Sequence, residues 1–241
     1  GMANGENGRE MRKRLAAVVP CYNAGERVEP VVTGLLAQLD HVVVVDDGST
    51  DGATAPLQAM GASVIRFPEN NGKGFAMLAG FRAALAADDV MGVVIVDADG
   101  QHDAKELPNL WGTFARENAD LVIVMRTFTG KDVPLRSKVG NKFTALMTRI
   151  LIGVAIPDTQ SGFRIYSRCF LEDILKTIRG GRYETEMEIL VNAARGGYKI
   201  AASPIRTIYE IGNPSSHFNK FRDSWRVIRK LFGTALRRKK R

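Results

Sequence analysis

The sequence lacks the features that mark several common classes of protein. Its 241 residues include only two cysteines, Cys21 and Cys169, and no signal-peptide pattern precedes the first apolar run. A disulfide framework is therefore not expected, and both cysteines are predicted to be small core residues of a cytosolic protein. No window reaches the roughly 18 uninterrupted apolar residues of a membrane span. The chain is therefore not expected to cross a bilayer.

Two nucleotide-binding signatures are also missing. The first predicted strand is followed by CYNAGER and not by G-x-G-x-x-G, which excludes the dinucleotide-binding fingerprint. The pattern G-x-x-x-x-G-K-[ST] occurs nowhere in the chain, which excludes a P-loop. Apolar residues make up 45% of the sequence, which is ample for one sizeable core.

The net charge of +8 is concentrated at the end of the chain. Residues 219–241 contain ten Lys or Arg and a single acidic residue, so the remainder of the chain carries a charge of −1. A nucleic-acid partner is therefore not indicated. Apolar residues recur in this part of the chain at three- and four-residue steps: Phe218, Phe221, Trp225, Ile228, Phe232 and Ala235. The pattern predicts a basic amphipathic helix within 211–241 that either lies in a membrane interface or packs on the folded domain.

Short β-rich runs that end in polar residues alternate with helical patterns. Strands are predicted in LAAVVPCY, HVVVVDDG, SVIRFP, VMGVVIVDAD and DLVIVMR, and helices over 27–39, 50–60, 74–87 and 105–116. This alternation predicts an α/β domain over 15–210, with a mainly parallel, Rossmann-like sheet between two helical layers. Residues 1–14 have too little apolar content to pack and are expected to form a flexible basic arm that begins with a residue left from expression.

The polar residues that follow each predicted strand meet at one edge of the sheet, where open α/β folds bind ligands. Asp97 and Asp99 follow a buried strand, and such oxygen ligands suit Mg²⁺ or Mn²⁺ that is completed by phosphate oxygens. The same Asp-Ala-Asp-Gly pattern also occurs in plain turns. Gly72 and Lys73, at a helix start, either offer N–H groups and an ammonium to an anion or form an ordinary turn.

The clusters together resemble a known family. VVPCYNAGERV, VVVVDDGSTDG, NNGKGFA and VVIVDADGQHD, in this order, resemble the family 2 glycosyltransferases of the GT-A fold, in particular the dolichol-phosphate mannosyltransferase-like branch. The resemblance continues through VMRTF, DTQSGFRIYSR, RYETE and SPIRTIY. It implies an inverting, metal-dependent hexosyltransferase that uses a nucleotide-diphosphate sugar. The expected acceptor is a polyprenyl (dolichyl or undecaprenyl) phosphate.

The resemblance also implies roles for individual residues in binding the donor. Asp47 would hold the base or ribose, and the pocket would be completed by Pro20, Tyr22 and Asn23. A divalent cation, Mg²⁺ or Mn²⁺, would bridge the two phosphates of the donor and would be surrounded by Asp97, Asp99 and Gln101. His102 is expected behind these ligands. Gly72 and Lys73 would contact the nucleotide sugar.

The later motifs supply candidates for phosphate binding and catalysis. Arginines that face phosphates in the resembled branch match Arg126, Arg136 and Arg164, for which surface salt bridges are the alternative. Glu184 and Glu186 stand where the family presents acidic groups, and are either catalytic or a pair favoured by the helix dipole. A lipid phosphate is already an anionic nucleophile, whereas a hydroxyl acceptor would need a carboxylate base.

Other functions stay open at the level of sequence. One alternative is a glycosyltransferase that acts on a soluble sugar or a protein hydroxyl. A nucleotidyltransferase would be expected to carry a glycine-rich basic first loop, and a membrane-surface binding module would explain only the basic segment. The expected location is the cytoplasm, peripherally on the cytoplasmic face of a membrane. A homo-oligomer or a membrane partner subunit is compatible with the sequence, which does not specify the nucleotide or the sugar.

Overall fold

A computed structural model describes residues 2–128, 163–182 and 184–207 and places a seven-stranded sheet at their centre. The strands are β1 (Leu15–Cys21), β2 (His41–Asp46), β3 (Ser63–Arg66), β4 (Gly92–Ile95), β5 (Leu121–Phe128), β6 (Arg164–Ser167) and β7 (Ile200–Thr207). The helices are α1 (Met2–Arg14), α2 (Val28–Leu36), α3 (Lys73–Leu85), α4 (Leu107–Glu117), α5 (Arg168–Thr177) and α6 (Glu184–Arg195).

The strands cross the sheet in the order β3-β2-β1-β4-β6-β5-β7. β1 pairs in parallel with β2 and β4, β2 pairs in parallel with β3, and β5 pairs in parallel with β7. Among the described strands only β6 runs the other way, because it pairs antiparallel with both β4 and β5. The prediction of a mainly parallel sheet is confirmed. All strands except β6 therefore send their carboxyl ends to one edge, which we call the site edge.

Helices cover both faces of the sheet, as predicted. Ala17 and Val19 of β1 join the core beneath α2 and α4, whereas Ala16 and Val18 join the core beneath α3, α5 and α6. Successive side chains of a strand point to opposite faces, so a strand covered on both faces requires apolar residues throughout. This explains why β1 and β2 are unbroken apolar runs in the sequence.

The antiparallel direction of β6 decides which helix ends reach the site edge. β6 begins at that edge, where Arg164 pairs with Ile95 at the carboxyl end of β4, and α5 then returns toward it. The connection between α5 and α6 consequently lies at the site edge, beside the connection between β3 and α3. A backbone hydrogen bond of 3.3 Å from Phe75 N to Gly181 O joins the first turn of α3 to the connection between α5 and α6. The first turns of α3 and α6 are therefore neighbours.

The predicted helix over 50–60 is wrong, because residues 53–61 form successive turns. Their hydrogen bonds span three residues, from Ala55 N to Gly52 O and from Leu57 N to Thr54 O, each 3.2 Å long. Pro56 has no N–H with which to continue a helical ladder. The apolar spacing of this segment is therefore satisfied by burial of Leu57 without a helix.

The expectation that residues 1–14 form a flexible arm outside the fold is also corrected. Residues 2–14 are α1, and Met11 is 4% exposed within the core beneath α2 and α4. Asp40 N donates to Arg12 O (3.0 Å), and Trp111 Nε1 donates to Asn7 Oδ1 (3.0 Å). One buried methionine and a few polar contacts anchor this helix. The low apolar content of the segment as a whole does not reveal these contacts.

The remaining expectations for the chain ends and cysteines have mixed outcomes. Cys21 is buried as predicted, but Cys169 is exposed, because it lies on the outer side of the first turn of α5. Both cysteines are free. The predicted amphipathic helix within 211–241 lies outside the described residues. In the part of the chain that the structure describes, no helix is long and apolar enough to cross a membrane.

Candidate functional site

The connections that follow β1 and β2 are tied together at the site edge. Asp47 N donates to Cys21 O (2.8 Å), and Asn23 N donates to Ser49 Oγ (3.0 Å). Asn23 Oδ1 accepts from Thr50 N (2.9 Å), and Asn23 itself has a positive φ of 47°, which asparagine tolerates better than most residues. These bonds hold the turn that presents Tyr22.

Tyr22 is one of the most exposed large side chains at this edge. Its exposed fraction is 54%, and it directly follows β1, whose penultimate residue Pro20 is half-buried. An aromatic ring held on a fixed turn is suited to stacking against a planar base. The structure thus brings the predicted residues Pro20, Tyr22 and Asn23 to one rim.

Asp47, predicted to bind the base or ribose, is buried, and its carboxylate accepts three hydrogen bonds within the chain. Its Oδ1 accepts from Asn71 N (2.8 Å), and its Oδ2 accepts from Gly72 N (2.9 Å) and Asn70 Nδ2 (3.0 Å). The N–H groups before α3, predicted to be available to an anion, therefore already bind an anion, which is this carboxylate. A carboxylate has about four acceptor positions, so these three donors leave one of them unfilled.

The neighbouring Asp46 serves the connection after β2 and is 2% exposed. Its Oδ1 accepts from Ser49 N (2.8 Å), its Oδ2 accepts from Thr54 Oγ1, and Arg66 Nε lies 3.4 Å from Oδ2. Burial alone would raise the pKa of Asp46, but the hydrogen bonds from Thr54 and Ser49 and the charge of Arg66 outweigh it and lower the pKa. Asp46 is therefore charged at neutral pH.

Lys73 joins two carboxylates at the centre of the site edge. Its Nζ lies 2.7 Å from Asp97 Oδ1, in the segment after β4, and 3.2 Å from Glu186 Oε1, in the first turn of α6. The side chains of Lys73, Asp97 and Glu186 are only 19%, 26% and 16% exposed, so water screens these contacts weakly. Glu186 is thus held by an ammonium group and does not point freely into solvent.

The charges in this group stabilise one another. Burial would lower the pKa of Lys73, but the carboxylates of Glu186 and Asp97 outweigh it and raise the pKa. Burial would likewise raise the pKa of Asp97, but Lys73 and His102 outweigh it and lower the pKa. His102 Nε2 lies 3.5 Å from Asp97 Oδ2, and its ring stacks on Phe163 with centroids 5.1 Å apart. His102 therefore lies beside Asp97, and its expected position behind a set of metal ligands stays a prediction.

The predicted metal ligands lie in the segment that follows β4. Asp99 is partly exposed, and its Oδ1 accepts from Gln101 N (3.1 Å). Among the described residues, no group of three or more His, Cys, Asp or Glu side chains is arranged to hold a metal ion. Mg²⁺ and Mn²⁺ do not require such a group, because one or two carboxylates suffice when substrate phosphates and water complete the shell. Asp99 and the side-chain oxygen of Gln101 fit this donor set, whereas Asp97 is shared with Lys73.

The predicted arginines have different surroundings. Arg164 is 1% exposed within β6, where it pairs with Ile95 and Ile123 and shares a sheet face with Tyr166. It therefore lies in the interior beneath α3 and α6 and not on the open rim. Arg126 is a backbone position of β5 opposite Ile205 of β7. Arg136 lies outside the described residues.

The first turn of α6 and the segment before α3 contain one predicted site residue and two that are not apparent from the sequence. Glu184, a predicted catalytic residue, is half-buried at the start of α6. Thr185 stands between Glu184 and Glu186 and is completely buried, although nothing in RYETE distinguishes it. Asn70 donates to Asp47, and the only sequence signal for this contact is the run of polar residues that precedes α3.

Known proteins resemble this chain in sequence and in structure. A family model described as glycosyl transferase family 2 matches residues 16–175. The polyprenol monophosphomannose synthase of Mycolicibacterium smegmatis is 32% identical over 206 residues, covering 80% of this chain and 77% of that protein. The UDP-N-acetylglucosamine–dolichyl-phosphate N-acetylglucosaminyltransferase of Methanococcus voltae is 29% identical over 220 residues, covering 82% of this chain and 86% of that protein.

A solved structure supports the assignment of the fold. The glucosyl-3-phosphoglycerate synthase of Mycobacterium tuberculosis, in complex with Mn²⁺, UDP-glucose and phosphoglyceric acid, matches with a TM-score of 0.69 and 22% identity. The match covers 99% of this chain and 84% of that one. The predicted GT-A fold is thereby confirmed, and the sequence relatives confirm the resemblance to the dolichol-phosphate mannosyltransferase-like branch. The chain belongs to glycosyl transferase family 2 and is a glycosyltransferase.

Proposed function

We propose that this protein transfers a sugar from a nucleotide-diphosphate sugar to a polyprenyl phosphate, with inversion at the anomeric carbon and with a divalent cation. The observation that carries the proposal is the similarity, along about four-fifths of the chain, to transferases named for dolichyl-phosphate and polyprenol substrates. The site edge supplies the polar groups that such a reaction needs. The location that follows is the cytoplasmic face of a membrane, with the protein attached peripherally.

The donor nucleotide is proposed to bind across the connections after β1 and β2. Tyr22 offers an exposed ring to the base, and Asn23 is fixed beside it by its bonds to Ser49 and Thr50. Asp47 has one acceptor position left for a base N–H or a ribose hydroxyl, while its other positions hold the segment before α3. Loss of Asp47 should therefore weaken nucleotide binding both directly and through that segment.

The diphosphate is proposed to lie above the segment after β4. Asp99 and Gln101, together with Asp97, would hold a Mg²⁺ or Mn²⁺ ion, which as a Lewis acid would stabilise the charge that develops on the leaving diphosphate. Gly72 and Lys73 lie beside this segment, and Lys73 adds a positive charge that Asp97 and Glu186 keep in place. Arg126 and Arg136 are proposed to bind phosphate groups, for which the guanidinium fork is suited, whereas the buried Arg164 is not proposed to contact the donor.

The acceptor is proposed to attack without a general base. A phosphate oxygen of a lipid phosphate is already negatively charged, so no proton has to be removed as the new bond forms. The hydrogen bond from Lys73 to Glu186 supports this view, because Oε1 of Glu186 is already occupied by the ammonium group. Glu184 and Glu186 then orient neighbouring groups. A soluble sugar or protein hydroxyl as acceptor would require one of them to accept a proton.

The proposal is tested by substituting the carboxylate that best fits the metal. We expect Asp99→Ala to abolish sugar transfer and the Mn²⁺-dependent part of nucleotide binding, because charge on the leaving group loses its stabilisation. The fold should be unchanged, because Asp99 is partly exposed and, among the described residues, its side chain bonds within its own turn. Transfer from UDP, GDP, CDP and dTDP sugars to polyprenyl phosphate in vesicles is measured, together with calorimetric nucleotide binding.

Asp103→Ala is the matched control for this test. Asp103 lies on the same segment and is exposed, and its carboxylate caps the following turn through Lys105 N (2.9 Å). It should retain Mn²⁺-dependent transfer. Full Mn²⁺-dependent activity in Asp99→Ala would refute the metal assignment. Release of nucleoside diphosphate only when a hydroxyl acceptor is supplied would refute the lipid acceptor.

A further inference from the structure

The first turns of α3 and α6 meet at the site edge and carry the two ends of one ion pair. Lys73 begins α3, Glu186 lies in the first turn of α6, and Lys73 Nζ is 3.2 Å from Glu186 Oε1. These residues lie far apart in the chain, so their distance depends on how the two helices pack. Whatever fixes α6 against α3 also fixes the ammonium of Lys73 on Asp97.

The packing is tightest at Gly74, directly after Lys73. A Cβ atom on Gly74 would lie 2.0 Å from Thr185 Oγ1, 2.7 Å from Thr185 Cβ and 2.5 Å from Gly181 O, whereas real Cβ atoms essentially never approach within 3.0 Å. Gly72 is similarly confined, because a Cβ there would lie 2.8 Å from Arg182 Cγ. The two helix starts therefore interlock with no room for an additional methyl group.

Thr185 fills the space between the first turns of α3 and α6, which we call the junction. It is completely buried, and its Oγ1 has no hydrogen-bond partner among the described residues. Because Thr185 and Glu186 are adjacent in one helical turn, any shift that moves Thr185 off Gly74 also moves the carboxylate of Glu186 relative to Lys73. A displacement near 1 Å would be enough to break a contact of 3.2 Å.

We propose that Thr185, seated against Gly74, is a positioning residue that sets the distance between Glu186 and Lys73 and thereby the orientation of Lys73 toward the donor. The proposal rests on the proposed function in one respect, namely that Lys73 belongs to the donor site. Gly74 is then required for side-chain placement in the site, beyond its contribution to stability.

The same helix contains a matched control. Gly80 also faces a tight contact, since a Cβ there would lie 2.3 Å from Val18 Cγ1, but it packs on the sheet about two turns from Lys73. Gly80→Ala should therefore destabilise the protein as Gly74→Ala does, without separating Lys73 from Glu186. Urea unfolding of both variants measures the two stability losses. Activities are then compared per mole of folded protein.

The experiment measures kcat and KM for hydrolysis of the nucleotide sugar by water, a reaction that needs no lipid acceptor. We expect Gly74→Ala to lower kcat by about 100-fold, the size of effect that a misplacement near 1 Å produces. Folded Gly80→Ala should stay near the wild-type value. Thr185→Ala, which leaves space and adds no clash, is a second variant expected to fold and to lower kcat less. Equal kcat values in Gly74→Ala and Gly80→Ala would overturn the proposal.

Double-mutant cycles separate positioning from general packing. If the junction acts through Lys73, Gly74→Ala should lower kcat no further in a Lys73→Met background, and Thr185→Ala should partly restore kcat in Gly74→Ala. Additive losses would overturn the proposal. If the wild type neither binds nor hydrolyses any nucleotide sugar, the proposed function fails. The crystal structure of Gly74→Ala then decides the inference, and a Lys73–Glu186 contact unchanged at 3.2 Å would overturn it.

Discussion

At the scale of the residue, the adjacent Asp46 and Asp47 bind different parts of the chain. Asp46 binds groups within the connection after β2, whereas Asp47 reaches the segment before α3. Both are buried, so each carboxylate needs its hydrogen bonds to offset the loss of hydration. The sequence predicts a polar turn here but does not predict this division, because the partners of Asp47 lie beyond an intervening strand. Only the packing of β3 beside β2 brings them together.

The lowered pKa of Asp46 predicts how stability depends on pH. A carboxylate with a folded-state pKa below its unfolded value stabilises the fold above the unfolded pKa of about 4, and this contribution is lost as pH falls through the folded pKa. We expect the free-energy difference between the wild type and Asp46→Asn to be largest near about pH 7 and to shrink below about pH 4. Urea unfolding across this range measures it.

Thr54→Val provides the accompanying test, because it removes the hydroxyl that donates to Asp46. Thr54→Val should lower the free energy of unfolding by part of the amount that Asp46→Asn does, with the same dependence on pH. A free-energy difference that is constant from neutral to acid pH would contradict the assignment of this stability to the charged carboxylate.

At the scale of the element, α1 shows how little apolar surface is enough to anchor a helix. Among the α1 side chains whose burial is described, those of residues 5–14, Met11 alone joins the core and the others are exposed. Arg12 and Asn7 add polar contacts to the connection before β2 and to α4. The helix lies at the edge of the sheet opposite the site, because it leads into the start of β1.

This arrangement predicts a measurable role for Met11. We expect Met11→Ala to lower the free energy of unfolding by about 2 kcal/mol, the lower end of the range for a buried methionine. Arg9→Ala, on the exposed side of the same helix, should change it by less than about 0.5 kcal/mol. Urea denaturation distinguishes the two variants. Equal stabilities would mean that the segment behaves as the flexible arm that its composition predicts.

The elements differ in how well the sequence predicts them. β1, β2 and β4 are evident from their Val and Ile runs, and the segments that follow them correctly locate Tyr22, Asp47 and Asp99 at one edge. The helix predicted over 50–60 is wrong, because the prediction rested on apolar spacing and took no account of Pro56, and residues 53–61 form turns. The contact of Thr185 with Gly74 is unpredictable for another reason, since it depends on the direction of β6 and the return of α5.

At the scale of the whole molecule, the excess positive charge and the proposed donor site lie in different parts of the sequence. Ten of the basic residues lie within 219–241, and every residue proposed to bind the donor or metal precedes that segment. If the acceptor is a lipid phosphate, the site edge must meet a membrane surface. The basic segment is the part of the sequence with the charge to attract anionic lipid, at about 1 kcal/mol per Lys or Arg near the surface.

Truncation after Asp223 tests this separation. It removes eight of the ten basic residues together with Trp225, Ile228 and Phe232. Sedimentation with anionic vesicles should show that binding falls sharply, and transfer to lipid phosphate should fall with it, because both depend on electrostatic and apolar attachment. Hydrolysis of the nucleotide sugar by water should persist.

Salt provides the control on the intact protein. Raising the ionic strength from about 0.1 M to about 1 M shortens the Debye length from about 10 Å to about 3 Å, so vesicle binding should weaken without any change in sequence. If the truncated protein still glycosylates vesicle-embedded lipid at the full rate, the basic segment does not attach the enzyme to membranes. A soluble acceptor, with Glu184 or Glu186 as base, then becomes the better assignment.

The position of β6 has a consequence for how the chain is made. A ribosome releases β1 to β4 first, and these four strands can pair with one another as soon as they emerge. β5 follows but has no partner among them, because β6 separates it from β4. Until Arg164–Ser167 is synthesised, β4 and β5 both present open backbone edges, to which other nascent chains could pair. A strand of four residues thus covers the open edge of β4 and one edge of β5 during biosynthesis, and β7 later covers the other edge of β5.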